Sequence, residues 1–253
     1  MYTIKVLTHG MNIGSDQARL GLSSVILLQG EKNLLVDVGH FGRRILLIEE
    51  LEKVGLKPND ISSVVLTHSH WDHSQNVDLF PNAEIFVHKK EMEYAENPRN
   101  NDWATPKYFN KTIENHKINI ITEETEIEPG IRIIETPGHT RGHISVVVST
   151  NEGNIVIAGD SLTDAFSLQR GAPGLIFWSK KEAFESIEKI RNIASIVYPG
   201  HDRPFRIDSN GEIEYQEGPT SVTFTGGFEN TQSGFSTTIN LDKTRIPWVH
   251  EEA

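Results

Sequence analysis

The chain contains 253 residues, of which 37% are hydrophobic and 23% are charged. This composition is ordinary for a soluble globular protein and excludes an intrinsically disordered one. The absence of cysteine excludes disulfides, thiolate nucleophiles and cysteine-ligated metal sites. The 35 acidic and 24 basic residues give a formal net charge of −11, which repels nucleic acid and anionic membranes at long range.

The apolar runs of the chain, such as 25–28 and 34–38, are far shorter than the roughly 20 residues that span a bilayer. The first six residues lack the apolar core of a signal peptide and alternate like a strand. We therefore expect a cytoplasmic protein that binds neither membranes nor nucleic acid.

Up to residue 96 the chain alternates between β-rich runs and helical patterns. The predicted strands are 2–8, 23–29, 33–38, 62–67 and 83–88. The predicted helices are 42–56 and 89–96. The first of these helices is predicted to bury Ile45, Ile48, Leu51 and Val54, which recur every third residue.

Residues 97–117 form a segment too long for a plain connector. They include two prolines and the aromatic residues Trp103, Tyr108 and Phe109. Long loops of this kind are usually lids or binding loops, so these aromatic residues are predicted to form an apolar lid.

Strands resume after this loop, at 118–121, 131–135, 144–150, 154–158 and 195–198. Ser179 and Glu182 form a capping box for a helix of about fifteen residues. The side chains that this helix is predicted to bury are Ala183, Ile187, Ile190 and Ala194.

Helices are too few to supply one for each strand, and hairpins are present. This combination indicates an α+β fold in which two mixed β-sheets pack together with helices outside. From Pro204 onward the chain shows no helical period, and it is predicted to be an irregular β-rich extension.

Histidines cluster directly after one apolar strand. The residues His68, His70, Asp72 and His73 follow the run 64–66. A solvated loop with histidines by chance is the alternative, but three imidazoles and one carboxylate within six residues favour a metal site. Such a loop can turn His68 and His70 toward one cation, and Asp72 and His73 toward another.

One loop leaves a metal ion unsaturated, so further ligands must come from elsewhere in the chain. Three other segments place a histidine or an aspartate beside a strand and a tight turn. They are 136–143 (TPGHTRGH), 159–161 (GDS) and 199–202 (PGHD). The repeated pattern indicates ligands collected along one edge of a sandwich.

These motifs resemble those of the metallo-β-lactamase fold superfamily. The segment 68–73 matches its HxHxDH motif, and 136–143 resembles its TPGHTxGH segment. The segments 159–161 and 199–202 resemble its bridging-acid and last histidine motifs, and 37–39 resembles its DTG turn. The resemblance implies an αββα sandwich with a catalytic domain over 1–203, followed by an extension over 204–253 packed on or beside it.

The resemblance also implies two divalent metal ions per chain. The ligands that it implies for the first ion are His68, His70 and His143, and those for the second are Asp72, His73 and His201. Asp160 would bridge the two ions, which points to the lactonase and glyoxalase II branches rather than to the true β-lactamases. His139 is interpreted as a residue that orients the turn before His143.

Imidazole and carboxylate ligands fit zinc, although Fe²⁺ or Mn²⁺ is chemically admissible. Two such ions share a water and make hydroxide at neutral pH, which attacks a carbonyl carbon. Asp72 is the predicted catalytic residue, because a carboxylate held in this site can take or pass a proton.

Aromatic residues and one histidine near these motifs are predicted to contact a small-molecule substrate. They are His40, Trp71, Trp103, Phe166, Phe177 and Trp178. As a group, they favour an apolar acyl or aromatic substrate.

The leading hypothesis is a lactone or ester hydrolase that resembles the N-acyl-homoserine lactonases. Thr163 stands nearest to the position of a tyrosine that assists the carbonyl in those enzymes. The alternatives are a glyoxalase II-like thioesterase, a phosphodiesterase or nuclease of the same fold, and a non-catalytic metal-binding module. An acidic tail without a helical pattern disfavours the thioesterase, and the acidic balance disfavours the nuclease. A homo-oligomer is left open.

Overall fold

A computed structural model describes residues 2–207, 212–216, 218–227 and 234–241. Within these residues the strands form two large sheets and a separate hairpin. The two sheets face each other, and helices cover their outer faces.

The first sheet has six strands that lie side by side in chain order. They are β1 (Thr3–Thr8), β2 (Val25–Gln29), β3 (Asn33–Val36), β4 (Ser63–Val65), β5 (Glu84–His88) and β6 (Ile118–Ile121). The pairs β1–β2 and β2–β3 are antiparallel, whereas β3 to β6 pair in parallel, so the sheet is mixed.

The second sheet has seven strands, again side by side in chain order. They are β7 (Thr125–Glu128), β8 (Ile131–Glu135), β9 (Ile144–Thr150), β10 (Gly153–Gly159), β11 (Ile196–Pro199), β12 (Phe205–Ile207) and β13 (Ile213–Tyr215). The pair β10–β11 is parallel and the other pairs are antiparallel. The strands β14 (Ser221–Gly227) and β15 (Gly234–Asn240) pair with each other as a hairpin.

The central core lies between the two sheets. Alternate β-branched and leucine side chains of β2, β3, β8, β9 and β10 meet there. Ile26 and Leu28 come from the first sheet, and Ile133, Val146 and Ile157 from the second, all of them buried. This packing confirms the predicted arrangement of two mixed sheets with helices outside.

Two outer clusters attach the helices to the sheets. The helices are α1 (Arg44–Lys53), α2 (Trp71–Ser74), α3 (Lys89–Glu96), α4 (Phe109–Ile113), α5 (Ala165–Arg170) and α6 (Lys180–Ile193). α1, α3 and α4 pack on the first sheet, and α5 and α6 pack on the second. Ala183, Ile187 and Ile190 are buried on α6, as its periodicity predicts.

Two sequence expectations about side chains are wrong. On α1, Leu51 is buried as predicted, but it is accompanied by Leu47, and Ile45 is 74% exposed, so the predicted buried face is wrong at Ile45. Phe109 does not belong to a lid: it is fully buried at the start of α4 and packs in the core of the first sheet. The strand β7 and the helix α5 were not expected from the sequence pattern.

The region after residue 203 begins as part of the second sheet. Phe205 is fully buried and pairs with Val197 of β11. The separate hairpin of β14 and β15 follows, and residues 208–211, 217, 228–233 and 242–253 lie outside the described part of the chain. The boundary between a domain over 1–203 and an extension over 204–253 stays a prediction. In the described part, no helix combines the length and apolar character that a bilayer crossing requires.

Candidate metal centre

Strand ends bring the sequence motifs together at one edge of the sandwich. The loop after β4 carries His68 and His70, and Asp160 follows β10 directly. Because β10 and β11 are parallel and Gly159 pairs with Pro199, Asp160 and His201 leave neighbouring strand ends. His139 lies in the turn between β8 and β9.

Two groups of potential ligand atoms form at this edge. The first contains His68, His70, His139 and Asp160, and the second contains Asp72, His73 and His201. Within each group the ligand atoms lie within 4.8 Å of one another. Every member is buried except His201, which is half-buried.

Asp160 connects the first group, to which it belongs, with the second group. Its Oδ1 is 3.3 Å from Nε2 of His73, which belongs to the second group. Its Oδ2 is 3.3 Å from Nε2 of His201 and 3.5 Å from Nε2 of His139, one from each group. The carboxylate therefore has the geometry of a bridge.

Each of the five histidines has one ring nitrogen fixed by a neighbour outside the groups. The fixing contacts are Thr67 Oγ1 for His68 (3.0 Å), Asp102 Oδ2 for His70 (3.3 Å), the Leu175 carbonyl for His139 (2.8 Å), Asp37 Oδ2 for His73 (2.7 Å) and the Leu22 carbonyl for His201 (3.1 Å). A carboxylate or carbonyl partner requires the ring N–H on that side. The second nitrogen of each such ring then offers a lone pair to the interior of the site.

Three buried atoms of the site make no well-aligned hydrogen bond among the described residues: Nε2 of His68, Nε2 of His73 and Oδ1 of Asp160, although the last two lie 3.3 Å apart. Such unpaired atoms cost about 1–3 kcal/mol each unless another partner satisfies them. Imidazole nitrogens and carboxylate oxygens at these separations suit divalent cations such as Zn²⁺. The residues present therefore fit a pair of metal ions.

His139, and not His143, takes part in the first group. The sequence prediction of His143 as a ligand is corrected by its contacts, because both of its ring nitrogens are already used. Nδ1 contacts the Thr136 hydroxyl at 3.0 Å, and Nε2 accepts the backbone N–H groups of Asp160 (3.1 Å) and Ser161 (3.3 Å). His143 thus holds the backbone of the loop that presents the bridging carboxylate.

Burial and charge set the protonation states of the site. Burial, together with neighbouring imidazoles, lowers the pKa of His68 well below its ordinary value, and burial lowers the pKa of His139 to about 4. Burial alone would raise the pKa of Asp160, but the charges of His201 and His73 hold it well below its usual range. At neutral pH His68 and His139 are therefore neutral imidazoles and Asp160 is ionised, the forms that bind metals. Burial would lower the pKa of His73 and His201, but the charge of Asp160 raises the pKa of both, so metal binding has to release the protons of these two imidazoles.

Two glycines allow the close approach of the strand ends. Gly159 has φ +51°, and a Cβ on it would lie 2.9 Å from Nε2 of His143. A Cβ on Gly200 would lie 1.9 Å from Oδ1 of Asp160, closer than any real contact. Side chains at either position would displace the bridging carboxylate or its support.

Asp102 is a further site residue that was not predicted from the sequence. It is buried and accepts hydrogen bonds from the Tyr94 hydroxyl (2.7 Å), the Thr105 hydroxyl (2.7 Å) and the Ala104 N–H (2.9 Å), besides its contact with His70. Burial raises its pKa, but the charge of His70 and these hydrogen bonds outweigh burial and hold the pKa well below its ordinary value. No motif marks this residue, because it lies far from the others in sequence.

The Asp102→Asn variant is expected to bind metal about 10–100-fold more weakly than the wild type, because His70 loses its charged partner. Chelator competition on the purified protein measures this change. Tyr94→Phe is the matched control, since it removes one hydrogen bond to Asp102 and leaves the carboxylate in place. Equal metal affinity in Asp102→Asn and the wild type would contradict the expectation.

A cavity of about 390 Å³ opens over the two groups. Among the predicted substrate contacts, Trp71, Trp103 and Phe177 line it. The cavity wall also includes residues that were not predicted: Met11, Asn12, Ile13, Arg19 and Gly21 of the N-terminal loop, with Ala104, Thr163, Gly174 and Leu175.

The other predicted substrate contacts lie elsewhere. His40 packs edge-on against Trp71 and accepts the Gly42 N–H, which places it behind the wall. Trp178 lies under the Arg99 guanidinium and contacts Tyr94 edge-on. Neither residue is among the described residues that line the cavity, and the same is true of Phe166 on α5.

Comparison with known proteins places this chain in a family. The family model of the metallo-beta-lactamase superfamily matches residues 18–201. The chain belongs to this superfamily. The metallo-beta-lactamase domain-containing protein 1 of Xenopus laevis is 30% identical over 223 residues, which cover 85% of this chain and 86% of that protein.

Two further proteins resemble the chain more distantly. An N-acyl homoserine lactonase of a Bacillus species is 28% identical over 162 residues, with 62% of each chain covered. A structure of an AiiA variant of Bacillus thuringiensis, with N-decanoyl-L-homoserine bound at its active site, has a TM-score of 0.62. That match has 21% sequence identity and covers 79% of this chain and 92% of the other, so it shows the shared fold. The membership establishes this chain as a metallo-hydrolase of the superfamily.

Proposed function

We propose that this metallo-hydrolase opens a lactone or cleaves a related ester at a site that holds two divalent ions. The observation that carries the proposal is the position of Asp160 between two groups of inward-facing imidazoles, at the floor of a cavity with an apolar wall. The relationship to N-acyl homoserine lactonases supports the choice of substrate class.

The proposed ligands of the first ion are His68, His70 and His139, and those of the second are Asp72, His73 and His201, with Asp160 between them. Zinc is the metal that this ligand set fits best. When bound, two such ions lower the pKa of a shared water towards 7 and polarise a substrate carbonyl. The two carboxylates balance only half of the cationic charge, so the site is locally positive in an acidic protein.

Asp72 is the proposed proton acceptor and donor. Its Oδ2 lies 3.4 Å from Nε2 of His201, and the residue borders the cavity. In this position the carboxylate can take the proton of the attacking water and return it to the alkoxide that leaves when the ring opens.

The cavity wall favours a substrate with an apolar portion. Phe177 is 1% exposed and packs edge-on against His70 and His139, so it shields the histidines from bulk water. Trp103 contacts Phe177 edge-on and is 55% exposed, which places it at the mouth of the cavity. An acyl chain that leaves the reacting carbonyl would lie along these rings.

A hydrolysis panel tests the proposal. Zinc-loaded protein is assayed on N-acyl homoserine lactones, simple esters, an acyl-glutathione thioester, a phosphodiester and a β-lactam. The largest kcat/KM is expected for a lactone or an ester. A largest value for the thioester or for the phosphodiester would instead favour the corresponding alternative function.

The Trp103→Ala variant is expected to raise KM for long-chain lactones about tenfold, because loss of the indole removes more than 1 kcal/mol of apolar contact. Short-chain lactones should change little, since their acyl group does not reach the mouth of the cavity. Steady-state kinetics over a series of chain lengths measure this difference. Tyr108→Ala is the matched control, because Tyr108 lies on the same loop, is 53% exposed and does not line the cavity. An equal effect at every chain length would contradict the role of Trp103.

We also propose that the protein acts in the cytoplasm on a small molecule. The boundary at residue 203 is proposed to separate the catalytic domain from the β-rich extension, although β12 and β13 complete the second sheet. The hairpin of β14 and β15 is proposed as the part of the extension that packs on or beside this domain.

A further inference from the structure

Glu91 on α3 is a fully buried carboxylate outside both groups of metal-binding residues. It accepts four hydrogen bonds from two separate segments of the chain. Oε1 accepts the N–H (2.8 Å) and the hydroxyl (2.6 Å) of Ser69, and Oε2 accepts the Thr140 hydroxyl (2.9 Å) and the Gly142 N–H (2.8 Å). Each oxygen therefore serves one segment.

These two segments are the ones that carry the histidines of the first group. Ser69 lies between His68 and His70, and Thr140 directly follows His139. In the described structure the side chain of Glu91 thus bonds both to the segment that carries His68 and His70 and to the segment that carries His139. The distance between these two segments therefore depends in part on where α3 holds the carboxylate.

The segment around His139 is also enclosed by backbone contacts. A Cβ on Gly142 would lie 2.1 Å from the backbone nitrogen of Glu91, and a Cβ on Gly138 would lie 2.2 Å from the backbone nitrogen of Ala183. The turn is therefore seated between α3 and α6 without space to shift toward either helix. The hydrogen bonds of Glu91 help to set the distance of this turn from the loop after β4, together with the contact of His139 Nε2 with His70 Nδ1 (3.1 Å) and the bond from the Ile144 N–H to the Thr67 carbonyl (2.9 Å).

The second group has different supports. His73 is fixed by Asp37, and His201 is fixed by the Leu22 carbonyl. None of the four hydrogen bonds that Glu91 accepts comes from a residue of this group. A change at Glu91 should therefore act on one group and leave the other in place.

We propose that Glu91 is a positioning residue that sets the separation of His68 and His70 from His139, and thereby the affinity of the first metal position alone. The inference rests on the two-metal site of the proposed function, but not on any substrate. It assigns to α3 a role in metal binding that no sequence motif indicates.

The Glu91→Gln substitution probes this role because an amide cannot accept four hydrogen bonds. Its NH₂ group would face either the Ser69 N–H or the Gly142 N–H, and two donors do not bond. One segment is released, and the three imidazoles of the first group no longer converge. Loss of such a support typically weakens metal binding 10–100-fold.

The experiment is a stepwise titration of metal-free protein with Co²⁺, followed by its visible absorption spectrum and by chelator competition. Glu91→Gln is compared with the wild type, with His139→Ala, which removes a ligand of the first group, and with His201→Ala, which removes one of the second. In Glu91→Gln we expect one of the two equivalents of Co²⁺ to bind about 10–100-fold more weakly than in the wild type. The spectrum of the remaining equivalent should match that of His139→Ala.

Thermal unfolding of the metal-free proteins supplies the control for the fold. Phe109→Leu, a core change on the same side of the first sheet, shows how a general loss of stability affects the titration. If Glu91→Gln does not fold, Thr140→Val removes one of the four donors, with Thr140→Ser as its conservative partner. Only Thr140→Val should weaken the binding of the metal ion at the first group.

Four results would overturn the inference. The variant that folds could bind both equivalents as the wild type does, or lose both to the same extent as Phe109→Leu. Its remaining equivalent could instead match the spectrum of His201→Ala, or Thr140→Ser could weaken binding as much as Thr140→Val. A protein that binds two ions but hydrolyses no lactone would contradict the proposed substrate and leave this titration interpretable.

Discussion

The Asp160→Ala variant is expected to lose about 10³-fold in kcat/KM and to retain at most one tightly bound metal ion per chain. Asp160 is the only described residue whose carboxylate contacts histidines of both groups, at 3.3 Å for His73 and His201 and 3.5 Å for His139. Without it, two cations would repel each other at close range with no shared anion between them. A loss of about 4 kcal/mol in transition-state stabilisation corresponds to the expected fall in rate.

Metal analysis and steady-state kinetics on the same preparation measure both parts of this expectation. Asp164→Ala is the matched control, because Asp164 caps the N-terminus of α5 four residues along the chain and belongs to neither group. That control should lose about 1 kcal/mol of stability and keep two metal ions. An Asp160→Ala protein that folds, binds two ions and turns over substrate at the wild-type rate would refute the bridging role.

The pair His139→Gln and His143→Gln should separate two histidines that lie four residues apart in one turn. His139→Gln is expected to lose one metal ion and about 10³-fold in activity, because its Nε2 points into the first group. His143→Gln should keep both ions and stay within about tenfold of the wild-type rate, since its amide oxygen can still accept the Asp160 N–H that His143 accepts at 3.1 Å.

The reverse outcome for this pair would restore the ligand assignment that the sequence motif favoured. If His143→Gln lost the ion and His139→Gln kept it, the turn would have to rotate when metal binds. The titration of each variant with zinc, read by competition with a chromogenic chelator, decides between these results.

The sequence motifs were sufficient to predict the fold and the strand ends at which the site forms. They lie directly after β4, β10 and β11 and before β9, and a strand end is the place where side chains from distant parts of the chain can converge. The small number of helices and the presence of hairpins likewise predicted two packed sheets, because each sheet face must be covered by another layer.

The motif does not determine which of His139 and His143 faces the first group, since both follow a glycine in the same turn. It is decided by partners distant in sequence: the Leu175 carbonyl fixes His139, and the N–H of Asp160 occupies His143. Asp102 and Glu91 were missed for a related reason. Their carboxylates act on the site through contacts with His70 and Ser69, which local sequence patterns do not contain.

The aromatic residues show that the sequence also does not determine which side chains line the cavity. Trp103 and Phe109 lie six residues apart in one predicted loop, yet Trp103 borders the cavity and Phe109 is a core residue. Composition alone cannot separate the two, because an aromatic ring serves equally well in a core and in a binding wall. The start of α4 at Phe109 turns this ring toward the first sheet.

Anomalous X-ray diffraction at the zinc edge, from crystals grown with zinc, tests the two-metal site most directly. Two anomalous peaks per chain, roughly 3.5–4 Å apart, are expected on either side of the Asp160 carboxylate. His139 should ligate one of them, and His143 should ligate neither. A single peak, or a pair of peaks away from Asp160, would contradict the account.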